Sequence, residues 1–269
     1  MDAHTLIIRT AGTNCDRELA HAFELAGATT ETVHLNKLID DPSIIDRANL
    51  IGFPGGFSYG DDIAAGRIFA NRLRHQLLEP LQRAVERGVP MIGICNGFQV
   101  LVKMGLLPFP QQAQQLATLA DNAGGRFIDR WVGLSTPSDT VCIWTKDLTE
   151  FDLPIAHGEG RFVPVSDELL DQLRDNNMVA LRYTDNPNGS IEDIAGICDP
   201  SGLILGLMPH PERYNHRTNH PSWTRNPDET AIPAGQRMFQ NAVNHVRERQ
   251  PDSIDQATET SPESLIPNH

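Results

Sequence analysis

Cysteine, basic charge and long apolar runs are all scarce in this chain. It holds 4 cysteines in 269 residues. These are Cys15, Cys95, Cys142 and Cys198, with no CxxC pair and no histidine at metal-ligand spacing. That distribution argues against a disulfide framework and against a structural zinc site. No metal is expected, and a reducing cytoplasm is the expected location. The 22 basic residues are outnumbered by 35 acidic ones, a net charge of −13. Such a surface repels nucleic acid and anionic lipid, so neither is an expected partner. No apolar run approaches the roughly 20 residues of a membrane-spanning helix. Met1 to Thr10 carries no basic stretch, long apolar run and cleavage site of a secretory signal. A P-loop is absent too, which leaves no expected nucleotide cofactor in this chain.

What is present describes a folded enzyme-sized domain. Apolar residues make up 39% and charged residues 21%, the balance of a soluble globular protein. Leu6 to Arg9 reads as a strand, followed by a turn at Gly12 and a helical pattern from Asp16 to Leu25 that Gly27 stops. The unit recurs. Thr32 to Leu35 and Leu50 to Phe53 read as strands, Asn71 to Arg87 as a long helix, and Met91 to Ile94 as a strand before a helix ending at Gly105. Strands alternating with helices predict an α/β fold, a mostly parallel sheet with helices on both faces.

From Gly124 the texture becomes strand-like, at Arg126 to Leu134, Val141 to Thr145, Val179 to Tyr183, Ile194 to Cys198 and Leu203 to Met208. The last two flank Asp199-Pro200-Ser201-Gly202 and predict a hairpin, hence an antiparallel extension of the sheet. Gln236 to Arg249 reads as a closing helix. The expected organisation is one domain over residues 1–249 and a disordered polar tail over 250–269.

The chemistry concentrates at two places. Gly93-Ile94-Cys95-Asn96-Gly97 sets a cysteine between glycines where a strand meets a helix, the nucleophile-elbow arrangement with Cys in place of Ser. Such a turn strains the nucleophile and places it at a helix N-terminus, where the dipole favours a thiolate. It also aims the Asn96 N–H at a developing oxyanion. A lone cysteine is more often a small core residue; the flanking glycines favour the nucleophile. The second place is Met208-Pro209-His210-Pro211-Glu212-Arg213, after an apolar strand. In extended chain His210 and Glu212 face the same side, so the carboxylate can orient the imidazole that serves as base.

Together these pieces resemble the class I glutamine amidotransferase domain, of flavodoxin-like fold. Further segments narrow the resemblance: Gly12-Thr13-Asn14-Cys15-Asp16-Arg17, Gly55-Gly56-Phe57-Ser58-Tyr59-Gly60-Asp61, Ala156-His157-Gly158-Glu159-Gly160-Arg161-Phe162 and Asn186-Pro187-Asn188-Gly189-Ser190. With the Cys95 and His210 segments they are similar to the signatures of one branch, the glutaminase components of phosphoribosylformylglycinamidine synthases of purine synthesis. The resemblance covers about Leu6 to Phe239. It implies that Cys95 attacks the side-chain amide of glutamine, that His210 shuttles protons, and that Glu212 orients His210. Gly56 and Asn96 would form the oxyanion hole. Gln99 and the 157–162 loop, with His157, Gly158, Gly160 and Arg161, would bind glutamine. The implied partners are a synthetase subunit, which would hold ATP and Mg and consume the ammonia, and a small accessory subunit. The Asn186 to Ser190 segment is either a turn or a partner surface, and His216 to Pro233 is longer than in compact relatives. Two rival readings are weighed: a ligand-binding or sensor protein on the same scaffold with a redox-active Cys95, against which His210 and Glu212 together argue, and a cysteine hydrolase or a glutaminase serving another synthetase, against which the Gly55 to Asp61 segment argues.

Overall fold

The buried strands β3 (Leu50–Phe53) and β4 (Met91–Ile94) are almost uninterrupted apolar runs, and β1 (His4–Arg9) carries the run Leu6–Ile8 at its buried centre. Runs of that kind belong in a sheet covered on both faces. The computed structural model describes residues 3–225 and 231–249, and its main sheet has nine strands in the order β2-β1-β3-β4-β11-β10-β9-β6-β7. Here β2 is Thr29–His34, β6 Ile128–Ser135, β7 Glu150–His157, β9 Val179–Tyr183, β10 Ile194–Cys198 and β11 Ile204–Leu207. The first five strands in this order are parallel, and every pairing from β11 to β7 is antiparallel. The α/β architecture with an antiparallel extension is therefore present, hairpin β10–β11 included. β5 (Ala117–Asp121) and β8 (Glu159–Pro164) form a separate antiparallel pair.

Helices cover both faces, among them the short α2 (Leu35–Asp40), α3 (Ser43–Arg47) and α6 (Asp167–Asp175). Gly52 in β3 leaves room for Leu19 and Phe23 of α1 (Asp16–Leu25). Its neighbour Phe53 touches Gly97 of α5 (Asn96–Met104). Adjacent strand residues face opposite sides, so α1 and α5 sit on opposite faces. The closing helix α7 (Ala234–Glu248) joins α1, with the Phe23 and Phe239 rings 5.0 Å apart edge-to-face. The long helix α4 (Arg67–Glu86) lies beside α5.

Three expectations need correction. Val141 to Thr145 is not a strand; Ile143–Thr145 is a 3-10 turn. It buries Trp144 completely and lets the indole N–H donate to Leu203 O at 2.9 Å. A short apolar run fits a buried turn as well as a strand. The expected loop at 157–162 is instead the junction of strands β7 and β8, which meet at Gly158. Strand β7 alternates, with Leu153, Ile155 and His157 buried and Glu150, Asp152 and Pro154 on the other face. It tolerates Pro154 because it is the edge of the sheet. The residues after His210 are not extended: Pro211–Arg213 is a 3-10 turn, closed by Arg213 N–H to His210 O at 3.2 Å. The expected tail at 250–269 lies outside the described residues.

Candidate active site

Cys95 sits at the end of central strand β4, with φ 53° and ψ −108°, and caps helix α5. A left-handed non-glycine residue is strained, and neighbouring contacts hold it there. Its N–H donates to Leu207 O at 2.8 Å, continuing the ladder from β11. The glycines around it answer to close packing. A Cβ on Gly97 would stand 1.9 Å from Phe53 O, and one on Gly93 would stand 2.7 Å from Gly97 O. The turn can be this tight only without those side chains.

The strand beside β4 delivers the base. After β11 the chain passes Met208 and Pro209, and the His210 N–H bonds Pro154 O at 2.8 Å. His210 and Glu212 are both buried, with Nδ1 2.6 Å from Oε1 of the carboxylate. The turn at Pro211–Arg213, rather than extended chain, brings the two together. Burial opposes a charge on His210. The Glu212 carboxylate and the Cys15 and Cys95 thiols outweigh it and hold the imidazole well above its ordinary range. Nδ1 is bonded to Glu212, and Nε2 has no protein partner. Cys95, His210 and Glu212 thus come together, with Cys95 and His210 lining one cavity of about 370 Å³.

A glycine-rich loop closes one wall. Gly56 has φ 141° and packs so closely on the 12–14 turn that a Cβ would lie 2.8 Å from Gly12 O. The bonds of that contact run through its neighbours, Phe57 N–H to Gly12 O at 2.9 Å and Cys15 N–H to Gly55 O at 3.3 Å. Gly56 lines the cavity. Asn96 ties the loop to the nucleophile helix: its Oδ1 accepts from Ser58 N–H at 3.3 Å, and its Nδ2 donates to Asp61 Oδ1 at 3.1 Å. The second Nδ2 bond goes to Gln99 Oε1 at 3.0 Å.

The residues expected at the glutamine subsite separate into two groups. Gln99, His157 and Gly158 line the cavity; Gly160 and Arg161 do not. A Cβ on Gly160 would fall 2.3 Å from the His157 ring, so this glycine makes room for the histidine. Arg161 turns away, its Nε donating to Asp121 O at 3.0 Å. The Gln99 amide is already committed, donating to Glu159 O at 2.6 Å. The 186–190 segment is a turn. Asn186 Oδ1 accepts from Asn188 and Gly189 N–H, and Ser190 Oγ accepts from Phe162 N–H at 3.0 Å, bracing β8.

His157 Nδ1 lies 3.0 Å from Asn122 Oδ1. Burial, with the charge of His210 second, pushes its pKa down to about 4. A base held neutral in the fold but free to protonate near 6.5 when unfolded costs stability as pH falls from 6.5 toward 4. With folded and unfolded values of about 4 and 6.5, the loss between pH 7 and pH 5 is about 2 kcal/mol. Chemical denaturation at the two pH values is expected to show the wild type losing about 2 kcal/mol more than His157→Asn between them. His210 acts at the other end of the scale: its raised value stabilises fully below about 6.5 and fades as pH rises.

Sequence reasoning gave no role to Cys15, Arg126 or Arg213, all of which line the cavity. Cys15 lies in a motif that was visible. Nothing in one sequence places it beside a histidine 195 positions later.

A cysteine on a strained turn, a buried histidine–carboxylate pair and an α/β sheet define a cysteine-nucleophile enzyme of the elbow type. Comparison with known proteins agrees. The family model for the CobB/CobQ-like glutamine amidotransferase domain matches residues 2–246. The phosphoribosylformylglycinamidine synthase subunit PurQ of Dehalococcoides mccartyi is 46% identical over 91% of this chain and 98% of the relative. That of Treponema denticola is 42% identical over 79% of this chain and 88% of the relative. A solved structure of PurLQS from Thermotoga maritima superimposes with TM-score 0.71 at 33% identity, covering 91% of this chain and all of that one. A solved glutamine amidotransferase from Thermotoga maritima, 14% identical with TM-score 0.53 over 93% of this chain and 98% of that one, shares the fold. The chain belongs to the glutamine amidotransferase family, in the branch of the PurQ subunits.

Proposed function

We propose that this chain is the glutaminase component of a phosphoribosylformylglycinamidine synthase, with Cys95, His210 and Glu212 as its catalytic triad. The Cys95 thiolate attacks the side-chain carbonyl of glutamine. The resulting oxyanion is received by the Asn96 N–H at the start of α5 and by the Gly56 N–H across the cavity. His210, held protonated by Glu212, delivers its proton to the departing ammonia. Water, deprotonated by the same imidazole, then cleaves the glutamyl thioester and releases glutamate. The single observation that carries this reading is the convergence of a strained cysteine and a buried His210–Glu212 pair on one cavity. Gln99, His157 and Gly158 shape the glutamine subsite from the cavity wall. Arg126 and the Asp121 and Glu159 carboxylates, on the same wall, match the opposite charges of an amino acid.

The ammonia needs an acceptor. The solved relative is a PurLQS assembly, which supports two partners, a synthetase and a small accessory protein. ATP and Mg then belong to the synthetase, and this chain requires neither. Among the described residues no helix is long and apolar enough to cross a membrane. Four free cysteines fit the reducing cytoplasm as the location.

Phe57 and Ile63 are 49% and 66% exposed on the glycine-rich loop, where Tyr59, Gly60, Asp61 and Gly66 all have positive φ. A loop of this kind rests partly in unproductive conformations until a partner packs against it. Ammonia release from glutamine is therefore expected to rise at least about tenfold, roughly 1.4 kcal/mol of barrier, on adding synthetase and nucleotide. An isolated chain as fast as the complex contradicts the gating and leaves the triad untouched. A chain that never releases ammonia, alone or in complex, contradicts the proposed function.

A further inference from the structure

Glutamine hydrolysis by Cys95, His210 and Glu212 leaves one buried thiol beside the catalytic histidine unused. Cys15 Sγ accepts from Arg213 Nη2 at 3.2 Å and donates to Asn14 Oδ1 at 3.2 Å. That sulfur, a ring nitrogen of His210 and a carboxylate oxygen of Glu212 all lie within 4.8 Å of one another, and all three residues are buried. Within the group, His210 Nε2 and Glu212 Oε2 are buried and make no hydrogen bond. Space between the side chains is preserved by Gly55: a Cβ there would stand 3.0 Å from His210 Cε1 and 3.3 Å from Cys15 Sγ.

We propose that Cys15, His210 and Glu212 form a binding site for a thiophilic divalent cation, zinc foremost, whose occupation shuts off glutamine hydrolysis. The donor set decides the class of ion. One sulfur, one imidazole nitrogen and one carboxylate oxygen suit zinc, whereas magnesium and calcium seek oxygen alone. A tetrahedral zinc ion with bonds of about 2.0–2.3 Å sets its donors roughly 3.3–3.8 Å apart. Side-chain adjustment of an ångström or so therefore closes the site, with a fourth position left for water. The Arg213 guanidinium already donates to the sulfur and can keep doing so once the thiol proton has left to solvent. An ion held here displaces a proton from the His210 imidazolium to solvent as well, takes the freed lone pair and the charge of Glu212, and removes both residues from the catalytic cycle. Cys95 is outside the donor set, which separates this site from simple capture of a metal by the catalytic thiol.

The test uses the full chain carrying Cys95→Ala, so that the catalytic thiol cannot bind the ion. Cobalt(II) is added as the probe and thiolate-to-cobalt charge-transfer absorption is read in the near ultraviolet. A band is expected, and zinc should bleach it. Adding Cys15→Ser to the same background should remove the band and weaken zinc binding at least about 100-fold in competition with a chelator. Loss of a mere hydrogen-bond partner of a ligand already costs about 10–100-fold. Alkylation gives a readout that needs no second substitution: zinc should protect Cys15 from iodoacetamide in Cys95→Ala, as read by mass spectrometry. In the wild-type chain zinc should stop ammonia release, and chelation should restore it. Absence of the band in Cys95→Ala, its survival after Cys15→Ser, or unprotected Cys15 overturns the proposal.

Discussion

Replacing Cys95 by alanine is expected to abolish glutamine hydrolysis, by a factor on the order of 10⁵–10⁶, while the assembled synthase keeps its amidation activity with added ammonium. The magnitude follows from what loss of a nucleophile costs in a serine-protease triad, where the remaining groups have nothing to act through. The asymmetry follows from the division of labour. This chain supplies only the ammonia, and the ATP-dependent step belongs to the partner. Alanine at position 95 removes the thiol and keeps the Cβ, so the elbow can retain its packing. Parallel assays with glutamine and with ammonium read the difference. Equal loss of both activities would make Cys95 a structural residue.

Glu212→Gln is expected to lower kcat by about 10⁴ with little change in KM, the scale seen when the orienting carboxylate of a triad becomes an amide. The physical cause is visible in the pair itself. Burial pulls the His210 pKa down, and the Glu212 carboxylate, 2.6 Å from Nδ1, is the leading force against it. With the charge removed, the imidazolium is no longer sustained, and the proton needed by the departing ammonia is missing at neutral pH. Residual activity should therefore shift its optimum to lower pH, where His210 can still be protonated. His210→Ala should be at least as damaging and should show no such shift. A Glu212→Gln enzyme with wild-type turnover and an unmoved pH profile would exclude the assigned orienting role.

The sequence made the centre of the fold legible because its strands are covered on both faces. Leu50–Phe53 and Met91–Ile94 are uniformly buried, so they read as apolar runs bounded by turn residues. The antiparallel rim was harder. Strand β7 sits at the edge, where Pro154 is tolerated although a proline inside a run reads against a strand; the buried turn around Trp144 imitated a strand. Cys95 was legible because an elbow leaves local marks: its two glycines are demanded by contacts with Phe53 and within the turn itself. His210 and Glu212 were legible as a pair, although the turn that joins them was not. The cavity's far wall was illegible. Gly160 belongs to a signature segment because His157 needs the room, which no single sequence distinguishes from contact with a ligand. Cys15 reaches His210 only through the folding of β1, α1 and β11 around one another.

The most direct measurement asks which sulfur carries the acyl group. The chain, alone or in complex, is mixed with glutamine, quenched in acid within a turnover and digested, and its peptides are weighed. A glutamyl group on the peptide holding Cys95, removable by hydroxylamine, is the expected result. A glutamyl group on Cys15, or steady ammonia release with no acylated cysteine at all, would contradict the account.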